Sequence, residues 1–138
     1  MAVFLERGMN GPGYTPPDVT SQFGDIVNHW AQDWIDALAG DGITSGCGGG
    51  NFCPDGIVNR AQMAVFLLRA VHGVNYAPPA ASGTMFGDVS ASYWAAAWIE
   101  QLAAEGVTAG CNGGDYCPEN SVTRAQMAVF LVKAFNLP

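Results

Sequence analysis

Hydrophobic residues recur along this chain at helical spacing, between segments rich in glycine and proline. Trp30, Trp34 and Leu38 lie on one predicted helical face, and glycines follow at once, so the pattern predicts a helix near residues 28 to 39. An equivalent pattern predicts a helix near residues 92 to 104. Because the tryptophans share this spacing with leucine and isoleucine, we expect them to pack in a core. The alternative is that one tryptophan of each pair reaches the surface.

A second type of helix is predicted after Asn59 and after Thr123. Both residues are favourable N-caps, and a glutamine three positions later can complete a capping box in each case. The first of these helices has an apolar stripe made of Met63, Phe66, Leu67, Ala70 and Val71.

The chain contains internal repeats. The string RAQMAVFL occupies residues 60–67 and again residues 124–131, and residues 1–5 repeat its last five letters. We therefore predict the tail of a first repeat with a linker at 1–22, a second repeat at 23–79 and a third repeat at 80–138. Proline-containing linkers are expected to separate these repeats. The predicted fold is mainly α, with tandem helix-loop-helix repeats in a pseudo-symmetric bundle.

Four cysteines form two equivalent pairs, Cys47 with Cys53 and Cys111 with Cys117. Each pair lies in the glycine-rich loop between two predicted helices, which favours a disulfide within each loop. A four-cysteine zinc site is the alternative, but its ligand pairs are usually closer in sequence. Disulfides indicate a location outside the cytoplasm, and each should stabilise the fold by roughly 2 to 2.5 kcal/mol.

Composition excludes several classes of function. A formal charge of -7 with only five basic residues argues against nucleic-acid binding. No apolar run is long enough to span a bilayer. No catalytic constellation recurs in the repeats, so we expect no enzymatic activity, no cofactor and no metal.

Several separated motifs recur in the same order in both full repeats. They are F-G-D-I/V, a tryptophan, G-I/V-T, F/Y-C-P and R-A-Q before an apolar helix. This pattern resembles the S-layer homology domain of bacterial surface proteins. The resemblance implies an extracellular module at the bacterial cell surface that anchors a protein to secondary cell-wall polysaccharide or another surface glycan. The alternative is a self-assembling structural subunit of an extracellular filament or S-layer lattice, with other copies of itself as partners.

Arg60 and Arg124 are the leading candidates for ligand binding. A cation in the first turn of a helix is disfavoured by the helix dipole, so its repetition there needs an explanation. The functional hypothesis is that each arginine, with the nearby N-terminal amides, binds an anionic sugar substituent. The structural alternative is an ion pair with Asp25 or Asp88. The full set of candidate glycan-binding residues is Arg60, Arg124, Asp25, Asp88, Asn59, Thr123, Trp30 and Trp94.

Overall fold

A computed structural model describes residues 1–138 and contains five α-helices. Strand pairing is limited to three isolated β-bridges. The structure therefore confirms the mainly α class. The helices are α1 (Ala2–Asn10), α2 (Gln32–Gly40), α3 (Arg60–His72), α4 (Ala96–Ala104) and α5 (Arg124–Ala134).

Helices α3 and α5 begin where the capping pattern predicts. The side chain of Asn59 accepts a hydrogen bond from the Gln62 amide at 2.8 Å, and Thr123 accepts one from the Gln126 amide at 3.2 Å. Both glutamines return a side-chain bond to the N-cap amide, so both capping boxes are complete.

Helices α2 and α4 begin about four residues later than predicted. Trp30 and Trp94 lie in hydrogen-bonded turns before these helices, in which the Gln32 amide donates to the His29 carbonyl and the Ala96 amide to the Tyr93 carbonyl. Alanines occupy the N-cap positions and supply no side-chain acceptor. At the predicted start of the first of these helices, Asn28 has a positive φ of 63°, so a right-handed helix cannot include it.

The chain divides into two compact units, Met1–Gly56 (unit 1) and Ile57–Pro138 (unit 2). In unit 1, α1 packs against α2; in unit 2, α4 and α5 pack against α3. The proline-containing linkers lie inside the units, because Tyr14 contacts Trp34 edge-on at 6.0 Å and Tyr76 contacts Trp98 at 6.1 Å. Within each unit, the tyrosine of the linker thus packs against the second helix of the pair.

Each unit has its own apolar core. The core of unit 1 contains Leu5, Ile26, Ile35, Leu38 and Ile43, and that of unit 2 contains Met63, Leu67, Leu68, Ile99 and Leu102. At the edge of each core an arginine lies over a half-buried tryptophan ring, Arg7 over Trp34 and Arg69 over Trp98. The two units therefore use the same helix pairing.

Both predicted disulfides are present, Cys47–Cys53 and Cys111–Cys117. Each closes a tight turn that requires glycine directly before the first cysteine. Gly46 has φ of 79°, and a Cβ there would lie 2.3 Å from the Asn51 carbonyl oxygen. Gly110 is equally restricted in the second loop, which explains why glycine precedes the first cysteine of both loops.

Candidate functional site

Asp25 and Asp88 hold the two disulfide loops in place. The carboxylate of Asp25 accepts hydrogen bonds from the Phe52 and Cys53 amides at 2.8 and 2.7 Å. Asp88 accepts the equivalent pair from Tyr116 and Cys117 at the same distances. The bond from Phe52 is the main cause that lowers the pKa of Asp25. The carboxylates are thus fully engaged by loop amides.

Arg60 is buried, with 3% of its surface exposed, against the loop that closes the following repeat. Its Nε donates to the Tyr116 carbonyl at 2.8 Å, and its guanidinium lies 4.6 Å from the Tyr116 ring centre and 5.4 Å from that of Phe130. The Tyr116 hydroxyl donates to the Arg60 carbonyl at 2.9 Å. The expected ion pairs with Asp25 or Asp88 are wrong: His72–Glu105 is the ion pair that the structure contains.

The first amides of α3 already have partners. The Arg60 amide donates to the Asn120 carbonyl at 2.9 Å, and the Ala61 amide to the Pro118 carbonyl at 3.0 Å. With the Asn59 side chain on the third amide, the N-terminus of α3 offers no free donor to an anion. The loop at Tyr116–Asn120 therefore fills the place that a bound anion was expected to take.

The N-terminus of α5 has the same sequence and the opposite environment. Arg124 and Ala125 are exposed, and their amides have no partner within the chain. An antiparallel bridge between Asn59 and Ser121 brings this end of α5 beside the start of α3. Of the two predicted arginines, Arg124 is thus the one that an external ligand can reach.

Trp30 and Trp94 are exposed, at 80% and 59% of their surface, so the expectation of core packing is wrong for both. Each ring lies beside another aromatic ring, Trp30 by His29 at 5.7 Å and Trp94 by Tyr93 at 5.9 Å. Trp34 and Trp98 are half-buried in the helix contacts described above.

Trp94 is linked to the start of α3 through its neighbour Tyr93. The Tyr93 hydroxyl donates to the Glu119 carboxylate, and the Asn59 side-chain amide donates to the same carboxylate at 3.2 Å. Burial, followed by the bond to Glu119, raises the pKa of Tyr93 to about 12, so this hydroxyl stays protonated at neutral pH. Unit 2 thus gathers four predicted residues around one disulfide loop: Asn59, Arg60, Asp88 and Trp94.

Charge is distributed unevenly between the units. Unit 1 carries seven carboxylates and one arginine, a formal charge of -6, whereas unit 2 carries five carboxylates and four cations, a formal charge of -1. Unit 2 is therefore the better receptor for an anion.

The S-layer homology domain model matches residues 22–64 and 86–128. Each match begins at or just before a Phe-Gly-Asp motif and ends in the first half of α3 or α5. This chain belongs to the S-layer homology domain family. The predicted family is thus confirmed, and this member contains two disulfides.

Relatives of this S-layer homology domain are much longer proteins. The chain is 34% identical over 111 residues to an uncharacterized cell wall amidase of Bacillus anthracis, covering 80% of the chain and 20% of the relative. It is 30% identical over 124 residues to an amylopullulanase of Thermoanaerobacterium thermosulfurigenes, covering 90% of the chain and 6% of the relative. It is 31% identical over 118 residues to an S-layer protein of Bacillus licheniformis, covering 84% of the chain and 13% of the relative.

A domain shared by proteins with such different names is a module separate from their individual activities. The S-layer homology domain is a non-catalytic module for anchoring at the cell surface, so the predicted class of function and the extracellular, bacterial cell-surface location are confirmed. None of the five helices has both the length and the apolar character needed to cross a membrane.

Several contacts that fix the site were not predicted from the sequence. Tyr116, which the repeat pattern did not single out, supplies a carbonyl, a ring and a hydroxyl to Arg60. Nor was a role predicted for Asp36 and Glu100, which bind the linkers before each Phe-Gly-Asp motif. The signal for the latter was present, because both repeats have an acid at that position of the first helix.

Proposed function

We propose that this S-layer homology domain binds an anionic cell-wall polysaccharide and catalyses no reaction. The exposure of Trp30 and Trp94 carries the proposal. Both occupy the same repeat position, and each presents a flat indole face to solvent beside a second ring. Large aromatic side chains left exposed at equivalent places favour an interaction surface, and sugar rings stack on such faces.

Arg124 is the proposed contact for the anionic substituent. Its guanidinium is exposed at the start of α5, beside its own unpaired amide and that of Ala125. A carboxylate there could accept charge-assisted hydrogen bonds from the guanidinium and from both amides. The helix dipole would also stabilise its negative charge. Thr123 and Asn59 border this place through the Asn59–Ser121 bridge.

We assign Arg60, Asp25 and Asp88 positioning roles in the same function. Arg60 fixes the Tyr116–Asn120 segment, and each aspartate fixes a disulfide loop through two backbone amides. These internal contacts hold the two loops in place beside the proposed binding residues.

Co-sedimentation with purified cell-wall material tests the glycan proposal. Wild-type protein should pellet with wall and stay soluble in a parallel tube without wall. Arg124→Ala and Trp94→Ala should each weaken binding by roughly tenfold, equivalent to about 1.4 kcal/mol. Lys133→Ala, an exposed cation near the other end of α5, should bind like wild type. Equal binding by all four proteins would contradict the proposed contacts.

Self-association is a second candidate, and a specific observation supports it. Within unit 2, the Tyr116–Asn120 loop segment covers the start of α3. The start of α5 has the same sequence, but no loop segment covers it. The equivalent loop segment, Phe52–Gly56, contains a half-exposed ring, and the adjacent Ile57 is 77% exposed. The Phe52–Ile57 segment of a second copy could therefore cover Arg124 and Ala125, giving a head-to-tail contact.

Mixing two surface variants tests self-association. Ile57→Asp should disable the loop side of the contact, and Ala125→Lys the helix side, so each alone should be monomeric. Wild type should form a concentration-dependent series of oligomers, and an equimolar mixture of the variants should stop at dimers, because one intact loop then meets one intact helix. Sedimentation of wild type as a 14.4 kDa monomer up to about 1 mM would end this candidate.

A further inference from the structure

Unit 1 contains a cleft of about 340 Å³ between the linker that follows α1 and the C-terminal half of α2. Its walls are partly apolar, from Tyr14, Val19 and Ala37. Its polar groups include Thr20, Asp36 and Asp41. Nothing in the proposed glycan contacts uses this cleft.

Asp36 is buried in the wall of the cleft with half of its carboxylate unsatisfied. One oxygen accepts from the Gln22 amide at 3.0 Å and from the Ser21 hydroxyl at 3.3 Å. The other oxygen, Oδ2, is buried and has no hydrogen-bond partner, and the residue is 2% exposed. A buried carboxylate oxygen without a partner is unfavourable, so a ligand that supplies a donor would be stabilised there.

Unit 1 contains a second buried acid, Glu6, on α1. Glu6 is fully buried, its Oε2 accepts from Asn10 at 3.2 Å, and its Oε1 has no partner. Burial, followed by the charge of Asp41, raises the pKa of Glu6 to about 7. Burial, followed by the charges of Glu6 and Asp41, raises the pKa of Tyr14.

Unit 2 satisfies the equivalent acids internally. Glu100 takes the place of Asp36, and both of its oxygens accept hydrogen bonds from Ser82 and Gly83 at 2.7 to 3.0 Å. Glu105 takes the place of Asp41 and pairs with His72 at 2.8 Å. The acids of unit 2 therefore need no external partner.

One of these partners is replaced in unit 1, because Asn10 stands where unit 2 has His72. Unit 1 also has a buried acid, Glu6, where unit 2 has the apolar Leu68. Arg7, the one Lys or Arg of unit 1, lies over the Trp34 ring and forms no ion pair. The cleft of unit 1 thus combines more negative charge with fewer internal partners than its counterpart.

The chemistry of the cleft selects the type of cation. No group of His, Cys, Asp or Glu side chains converges closely enough to hold a metal ion. The walls from Tyr14, Val19 and Ala37 suit an organic group with an apolar body. The formal charge of -6 on unit 1 would attract such a cation over a distance of several ångströms.

We infer that the cleft of unit 1 binds an organic primary ammonium group, with Asp36 and Asp41 as its counter-ions. The Thr20 side chain and the exposed Asp41 carboxylate accept N–H groups of the ammonium, and the half-satisfied carboxylate of Asp36 supplies the second negative charge in the wall of the cleft. The apolar walls contact the carbon skeleton that carries the nitrogen. Amino sugars and lysine-like side chains both present this group.

The test is a titration followed by ¹H–¹⁵N chemical shifts of the intact protein. Three probes are used: glucosamine, its neutral counterpart N-acetylglucosamine, and Nα-acetyl-lysine amide. We expect glucosamine or the lysine derivative to shift the amides of Tyr14, Thr20 and Ala37 with a Kd in the millimolar range. The probe with the lower Kd identifies the carrier of the ammonium group, and N-acetylglucosamine should leave these amides unshifted.

Matched variants separate the cleft from general charge. Asp36→Asn keeps the acceptor for Gln22 and removes the charge, and Asp41→Asn changes an exposed residue; each should raise the Kd about tenfold or more. Glu100→Gln, the equivalent change in unit 2, should leave the Kd unchanged. Equal shifts with N-acetylglucosamine, no shift with either ammonium probe, or equal loss in Glu100→Gln would overturn the assignment. Wall binding through Trp94 and Arg124 would be unaffected by any of these results.

Discussion

Replacement of Arg60 and Arg124 by alanine should have opposite effects on stability, although the two residues occupy the same position in the repeat. Arg60→Ala removes a charge-assisted hydrogen bond to the Tyr116 carbonyl, a loss of about 1.5 to 3 kcal/mol. It also removes contacts with the Tyr116 and Phe130 rings, a further loss of about 1 to 2 kcal/mol.

Two terms offset part of that loss. The Nη2 atom of Arg60 is buried without a partner, and its removal returns about 1 kcal/mol. Removal of a cation from the first turn of α3 returns up to about 0.5 kcal/mol through the helix dipole. We therefore expect Arg60→Ala to lower the free energy of unfolding by about 1 to 4 kcal/mol.

Arg124→Ala should leave stability unchanged or raise it by up to about 0.5 kcal/mol. Arg124 is exposed and has no internal hydrogen bond, so the change removes only an unfavourable charge at the start of α5 and introduces the residue with the highest helix propensity. The comparison between the two sites thus isolates the contribution of the Tyr116–Asn120 loop.

Urea unfolding followed by far-ultraviolet circular dichroism measures both free energies. Arg60→Met serves as a control, because it keeps an unbranched apolar stem of similar volume and lacks the charge and the donors. It should recover only part of the loss. Equal destabilisation by Arg60→Ala and Arg124→Ala would refute the conclusion that burial by the loop distinguishes the two arginines.

Two further predictions concern the buried acid Glu6 and the two disulfide loops. Because the Glu6 pKa is raised from 4.5 to about 7, the folded state disfavours the ionised form; this source of stability is complete below pH 4.5 and is lost as pH rises through 7. The free energy of unfolding of Glu6→Gln, measured with urea, should therefore rise relative to that of wild type by up to about 3 kcal/mol between pH 4 and pH 8. A constant difference between the two proteins across that range would contradict this prediction. The double change Cys47→Ser/Cys53→Ser should cost about 2.4 kcal/mol from chain entropy, whereas Cys111→Ser/Cys117→Ser should cost more, because its loop also buries Arg60; equal midpoint shifts would show that the Arg60 contact survives without the disulfide.

Much of the fold follows from local sequence. Asn59 and Thr123 specify helix starts that depend only on residues within one turn, so both were predicted to the residue. Cysteines separated by five residues in a glycine-rich loop likewise leave a local disulfide as the simplest pairing. Such features need no knowledge of tertiary contacts.

Features that depend on distant segments were not predictable in the same way. The RAQMAVFL strings are identical, yet Arg60 is buried and Arg124 is exposed, because only α3 receives a loop from later in the chain. Trp30 has helical spacing to Trp34, but it lies in a turn before α2, so its ring is left outside the core. Identical sequences thus give the same local conformation, but they do not determine which residues of the rest of the chain surround each repeat.

The loop that covers α3 also determines where this protein can be divided. A fragment cut at the repeat boundaries of 23 and 79 would keep Arg60 but lose Tyr116, Pro118 and Asn120, its partners from the next repeat. It would also lose α1, which packs on α2. Each repeat thus depends on contacts from its neighbours. Recombination or truncation at the repeat boundaries would therefore give fragments whose helix ends lack their hydrogen-bond partners. A break near Gly56 would keep these contacts within each fragment.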